Sequence, residues 1–237
     1  MTASDAKLTP RKLRRLWLMR CGFNVMFFGG LLFLSAGRMD WIGAWLMMTL
    51  FGLAMVSPLF ALGSQGMDVI AERLQKKHDQ TMPTWDKWLI RWITVFTLLF
   101  WLVAGLGVRW YGLEQLPLQT QSLGLVLVSL AYSLFVWAIV ANPFFAQGVR
   151  IQQERDHCVA HTGPYRFVRH PGYAGNILTY LAIPLLLGSP WAWVPGLGLV
   201  VLFALRTRLE DQFLQAGLPD YPRYVEQVRY RLLPGVW

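Results

Sequence analysis

Apolar and polar positions divide the chain into six hydrophobic runs separated by short polar stretches. The runs are Leu16–Ala36, Trp41–Leu62, Trp88–Val108, Gln121–Ala141, Tyr173–Leu187 and Trp191–Leu205. The first four approach or exceed the roughly 20 residues that a helix needs to cross a bilayer core. Only helices and closed barrels satisfy their backbone inside lipid, and apolar runs of this length predict helices, Arg20 and Arg91 lying near the starts of the first and third. The last two runs are shorter and are joined only by Gly188-Ser189-Pro190. Pro184 and Pro195 are expected to kink them, because a helical proline leaves a carbonyl without its donor. This pair reads either as two crossings or as a helical hairpin that dips into the membrane. Between the second and third runs, Met67–Lys77 predicts a short interfacial helix. The fold class is therefore all-α: a polytopic transmembrane bundle forming a single domain over 1–237. Residues 1–141 supply N-terminal spans, and 142–237 hold a more polar core.

Composition supports this pattern. The chain has 237 residues, 55% of them hydrophobic and 15% charged, where soluble domains average about 25% charged. The net charge of +9 suggests nucleic acid at first sight. Its distribution points instead to the cytoplasmic membrane face and anionic lipid headgroups. With the N-terminus inside and six crossings, the outer connectors carry only Arg38 and Arg109; the other Lys and Arg residues lie on or near the cytoplasmic side. Both termini and both long polar segments, 142–172 and 206–237, then share that face. Tryptophans at run ends (Trp17, Trp41, Trp85, Trp88, Trp110, Trp191) suit interfacial belts. Cys21 and Cys158 form neither a disulfide framework nor a metal spacing. The basic N-terminal flank precedes a long apolar run without a small-residue cleavage site, which reads as a retained first helix.

Candidate chemistry concentrates in the two polar segments. In Gly163-Pro164-Tyr165-Arg166-Phe167-Val168-Arg169-His170-Pro171-Gly172-Tyr173, each proline holds the residue before it extended. Pro171 is suited to the first turn of a helix. The free N–H groups of that turn can face an anion, with Arg169 beside them as a bidentate fork. The plainer reading is a basic turn resting on headgroups. In the tail, Glu210-Asp211 can meet an ammonium group, or can form a salt-bridged helix end with Arg206 four residues earlier. Leu209, Phe213 and Leu214 share one face, as in an interfacial helix. His157 and His161 are four apart, but Gly163-Pro164 follows at once and no carboxylate or cysteine completes a metal shell. No nucleophile elbow, phosphate-cradling loop or dinucleotide fingerprint occurs.

The blocks His157…Gly163-Pro164-Tyr165…Arg169-His170-Pro171-x-Tyr173 and Glu210-Asp211…Leu214…Gly217…Tyr221-x-x-Tyr224…Arg231…Pro234 resemble the isoprenylcysteine carboxyl methyltransferase and phospholipid methyltransferase superfamily of membrane enzymes. The resemblance spans about Asn142–Trp237; the family's acidic pair is usually Glu-Glu, here Glu210-Asp211. It implies S-adenosylmethionine held between the loop and the C-terminal helix, and a lipidic or hydrophobic methyl acceptor, with O-methylation of an isoprenylcysteine-like carboxylate favoured. Under it, His157, Gly163, Pro164, Tyr165, Arg169, His170, Pro171, Tyr173, Glu210, Asp211 and Tyr221 bind the cofactor. Arg169 and the Pro171 helix start would meet its carboxylate, Glu210 its ammonium. Glu210, Arg223 and Arg231 are the candidate catalytic groups, the arginines holding an acidic acceptor. The ending Tyr230–Trp237 is also similar to NADPH-dependent membrane sterol reductases. Those carry an Asn-Tyr and a Glu just after His-Pro, where this chain has Gly172, Tyr173 and Asn176. A non-catalytic scaffold or transporter of the same fold is the remaining alternative, although no polar pathway crosses the runs.

Overall fold

The computed structural model describes residues 9–61, 63–74, 82–112 and 116–237. Among these the regular structure is entirely helical. The elements are α1 (Pro10–Ala36), α2 (Ile42–Val56), α3 (Pro58–Ala61), α4 (Gly63–Leu74), α5 (Thr84–Tyr111), α6 (Leu118–Ala141), α7 (Pro171–Leu187), α8 (Trp193–Gly217) and α9 (Tyr221–Gln227). Single 3₁₀ turns lie at Gln153–Arg155, Gly163–Arg166 and Pro190–Ala192. Five stretches are long and apolar enough to cross a membrane: α1, Ile42–Phe60, α5, α6 and Pro190–Gly217. Helix α7, with 17 residues, spans roughly 26 Å at 1.5 Å per residue, less than the ~30 Å of a hydrocarbon core.

The hydrophobic pattern locates the helices but misplaces several ends. α1 begins at Pro10, so part of the basic leader is helical. The second run breaks at Ser57-Pro58, since Pro58 lacks the N–H that would continue the ladder, and α3 follows. The last run passes Leu205 and continues to Gly217, so α8 has 25 residues and is long enough to span. The predicted interfacial helix 67–77 corresponds to α4, which starts earlier and ends at Leu74; residues 75–77 lie outside the described residues. α4 buries Val69 and Ile70 against neighbouring helices.

The two prolines behave differently. Pro195 is the third residue of α8, where its missing N–H has no carbonyl to serve, so no kink is needed. Pro184 lies inside α7 and deprives the Tyr180 carbonyl of its helical donor. Gly196 packs α8 close there: a Cβ at Gly196 would sit 3.3 Å from that carbonyl oxygen. One turn along, the Trp193 indole donates to the Leu181 carbonyl at 3.0 Å. The tryptophans also divide. Trp88, Trp110 and Trp191 are exposed as a belt requires, whereas Trp17 and Trp41 are buried. Their indoles bind the carbonyls of Met55 and Leu187 and tie α1 to α2 and α2 to the end of α7.

The main core is a single cluster built from α1, α2, α5, α6, α7 and α8, including Leu32, Met47, Phe100, Val128, Ile183 and Leu199. α6 packs along α7, and α5 joins α1 to α8. This bundle holds α7 and α8 side by side, so the polar residues at the start of α7 and those along the last turns of α8 meet at one end.

Candidate active site

The loop between α6 and α7 folds back over that end. Asn142 begins it with its side-chain oxygen accepting the Phe144 N–H at 2.9 Å, an Asx turn. Gln152 is fully buried and holds the loop from within, donating to the Phe144 carbonyl at 2.7 Å and accepting from Arg155 at 2.7 Å. Gly163 adopts φ +58°, and a Cβ there would lie 2.9 Å from both the Trp137 indole nitrogen and Ala141 of α6. It is a turn residue seated on α6, with Pro164 buried beside it.

Two buried carboxylates pin the site together. Asp211, on α8, has no exposed side-chain surface. It accepts Arg169 Nε at 2.7 Å, Arg169 Nη2 at 3.0 Å, Arg231 Nε at 2.9 Å, the Tyr221 hydroxyl at 3.0 Å and Gln215 Nε2 at 3.0 Å. His170 Nε2 lies 3.3 Å from the same carboxylate. Arg169 Nη1 also donates to the Val228 and Arg229 carbonyls at 2.7 and 2.8 Å. The backbone N–H groups of Arg169 and His170 bind the carbonyls of Tyr230 and Arg231. These bonds clamp the tail onto the loop. The second carboxylate, Asp86 at the start of α5, takes Arg206 Nε at 2.7 Å, Arg206 Nη2 at 3.1 Å and the Val149 N–H at 2.7 Å. Arg206 thus pairs with Asp86 on a distant helix, not with Glu210.

Beside these pins lies a cleft of about 400 Å³. The predicted residues His157, Tyr165, Arg169, His170, Tyr173, Glu210 and Tyr221 all line it. Gly163, Pro164, Pro171 and Asp211 do not; they shape the turn, start α7 and hold its supports. Arg223 is exposed on α9 and outside the cleft. Arg231 is also outside it, paired with Asp211 and lying over the Trp237 ring at 5.3 Å. Neither arginine is placed to hold an acceptor in this cleft. Arg169 lines it, but its Nε, Nη1 and Nη2 are all engaged, so the fork predicted for a ligand carboxylate is occupied by Asp211. Tyr173 donates its hydroxyl to Glu210 Oε2. His170 stacks near Tyr173, with ring centroids 5.8 Å apart.

His157 stands on non-helical backbone, its ring 4.4 Å from that of Phe144. The Gln152 N–H donates to His157 Nδ1 at 3.3 Å, which leaves the proton on Nε2. Burial, then the charges of Arg150 and Arg155, push the imidazole pKa down to about 4. An unfolded histidine titrates at about 6.5. The stabilising preference for neutral His157 is therefore complete above that pH and is lost as pH falls toward 4. Replacing His157 with Gln should flatten the fall in melting temperature across this window. An unchanged slope would show that the ring contributes none of it. Tyr221 is shifted the other way: burial, then the Asp211 charge, hold its phenol well above the usual range, so it remains a donor to Asp211.

Several site residues carry no motif signal. Asp86 sits in an ordinary polar linker, and its role appears only when α5 meets α8. Glu72 pairs with Arg150 at 2.8 Å across 78 positions, and Arg150 also binds Glu154. Tyr224, quoted above only as part of a spacing, donates to the Tyr165 carbonyl at 2.6 Å.

An all-helical membrane bundle with a polar and aromatic cleft at one end defines the class. Within it, residues 123–216, from α6 through α8, match the isoprenylcysteine carboxyl methyltransferase (ICMT) family. Over 108 residues the chain is 32% identical to the probable protein-S-isoprenylcysteine O-methyltransferases of Oryza sativa subspecies indica and japonica. The match takes in 44% of this chain and 56% of each rice protein. The chain is also 32% identical over 100 residues to the lamin-B receptor of Drosophila melanogaster, covering 40% of this chain and 14% of the receptor. The chain thus spans about half the length of the rice relatives and a small part of the receptor.

Proposed function

We propose that this protein is an S-adenosylmethionine-dependent membrane methyltransferase acting on a lipidic or hydrophobic acceptor, with O-methylation of an isoprenylcysteine-like carboxylate favoured. One observation carries the reading: among the described residues, Glu210 is the one carboxylate lining the cleft, where it accepts the Tyr173 hydroxyl and shares the lining with Phe144, His157 and Tyr165. That donor set suits a ligand with an ammonium group and a flat base. Glu210 would meet the ammonium of the cofactor, and Phe144, His157 and Tyr173 offer ring faces. The first-turn N–H of Gly172, which lines the cleft at the start of α7, would face its carboxylate. The bound cofactor supplies an activated methyl group, so the protein need only align and desolvate the acceptor. Residues 142–237 form the cofactor-binding core, on the cytoplasmic face that the charge distribution favours. The family match and the rice relatives' names support this reading over an NADPH-dependent reductase.

Calorimetry on purified protein with S-adenosylmethionine and with NADPH tests it. Saturable binding of the first alone is expected, followed by transfer of labelled methyl to a farnesylcysteine probe. Binding of NADPH without S-adenosylmethionine would overturn the proposal.

A further inference from the structure

Five arginines line the cleft: Arg20, Arg73, Arg150, Arg169 and Arg206. Three are matched by carboxylates: Arg150 by Glu72 and Glu154, Arg169 by Asp211, and Arg206 by Asp86. Arg20 and Arg73 pair with no carboxylate among the described residues. Arg20, on α1, donates through Nη1 to the Arg73 carbonyl at 2.7 Å and through Nη2 to Gln147 at 3.2 Å. It therefore caps the last turn of α4, where exposed carbonyls favour a cation. Arg73 has no such account. Its guanidinium lies over the Phe145 ring, 5.0 Å from the centroid. That contact occupies its face, but its Nε is buried with no hydrogen-bond partner. A donor shielded from water and left unsatisfied is costly, more so when it is charged. An anionic group of a ligand placed beside it would satisfy it. Burial and the Arg20 charge lower the Arg73 pKa only to about 10, so the side chain stays charged at neutral pH.

Arg73 also marks a boundary. A second, more apolar chamber of about 260 Å³ lies behind it, lined by α1, α2, α5, α6 and α7 with Phe28, Phe51, Trp101, Tyr132, Tyr180 and Ile183. Arg73 and Asn176 line both spaces, whereas Arg20 and Glu210 line only the polar cleft. A cation at the mouth of an aromatic chamber matches an amphiphile with one anionic head and one hydrocarbon chain.

We propose that Arg73, positioned by Arg20, seats the carboxylate of the methyl acceptor, and that the chamber behind it takes the acceptor's chain. This rests on the methyltransferase reading. It assigns acceptor specificity to α1 and α4, which lie outside the family segment 123–216.

The test uses full-length protein in phosphatidylcholine nanodiscs and three photoreactive probes: palmitate with a mid-chain diazirine, the matching alcohol and the matching alkyl phosphate. The palmitate probe is expected to label α2 and α6 peptides bearing Phe51 and Tyr132. Its labelling should exceed the alcohol's by about tenfold, the worth of one charge-assisted pair. Arg73→Gln should reduce palmitate labelling to the alcohol level, and Arg73→Lys should retain part of it. Neither should lower S-adenosylmethionine affinity by calorimetry. Phe51→Trp, which fills the chamber without touching a charge, should lower labelling even if Arg73→Gln fails to fold. Equal labelling by palmitate and alcohol, stronger labelling by the phosphate probe, or loss of S-adenosylmethionine affinity in Arg73→Gln would each overturn the assignment. Absent cofactor binding in the unaltered protein, with labelling intact, would sink the methyltransferase reading and leave the anion seat standing.

Discussion

Asp211→Asn should lower the melting temperature in detergent by roughly 10 °C, the shift expected of a ~3–5 kcal/mol loss in a domain of this size. The side chain keeps its shape but loses the charge that holds two arginines. Arg169, with 3% of its side chain exposed, is then left as a buried cation facing a neutral amide. Breaking one side of a buried pair is far more damaging than removing both. Arg231 provides the internal control. Its side chain is 28% exposed, so Arg231→Gln leaves a cation-free position that water can reach, and it should cost much less. A second readout separates fold from ligand: limited proteolysis should cut near Val228–Arg231 in Asp211→Asn, because the Val228 and Arg229 carbonyls are held by the Arg169 side chain that Asp211 orients. A melting temperature within a degree or two of the unaltered protein would show that the tail is held by something other than this carboxylate.

This also revises how the Arg-His-Pro block works. Its spacing suggests that Arg169 greets a ligand. The geometry makes it a clamp between α8 and the tail, and the extended backbone before Pro171 aligns Arg169 and His170 with Tyr230 and Arg231. Residue type alone could not separate these roles, because the fork that suits a ligand carboxylate suits Asp211 equally well. Glu210 and Asp211 are neighbours in the chain, but successive helix positions point about 100° apart. One therefore faces the cleft and the other the clamp, a division no list of acidic residues contains.

The membrane segments were legible because long apolar runs have few alternatives. Their ends were not. Past Leu205, α8 turns polar because Arg206, Glu210 and Asp211 meet protein, not lipid, so the pattern falters while the helix continues. Asp86 and Arg73 were unreadable for a related reason. Asp86 falls in the polar stretch before the third run and Arg73 in the predicted interfacial helix, and each acquires meaning only from distant helices or from a chamber formed by several others. In the motif-bearing half the sequence pointed to residues that line the cleft, but not to the roles of Arg169, Arg223 and Arg231; the N-terminal half could be read only as spans and an interfacial helix, although it contributes Asp86 and both unmatched arginines.

Glu210→Gln should weaken S-adenosylmethionine binding by at least about tenfold, or 1.4 kcal/mol and above, while leaving the fold intact. Glutamine retains a carbonyl oxygen for the Tyr173 hydroxyl, so the one hydrogen bond that orients the side chain persists. What disappears is the negative charge in a cleft whose other lining charges are arginines. Net positive potential would then repel the ammonium and sulfonium of the cofactor. Tyr173→Phe should have the opposite signature: the charge stays, its orientation is lost, and affinity falls by a smaller factor. Raising ionic strength should narrow the gap between the unaltered protein and Glu210→Gln if the effect is electrostatic. Undiminished affinity in Glu210→Gln, with an unchanged melting temperature, would mean that the cofactor's ammonium rests elsewhere and that this cleft serves a different ligand.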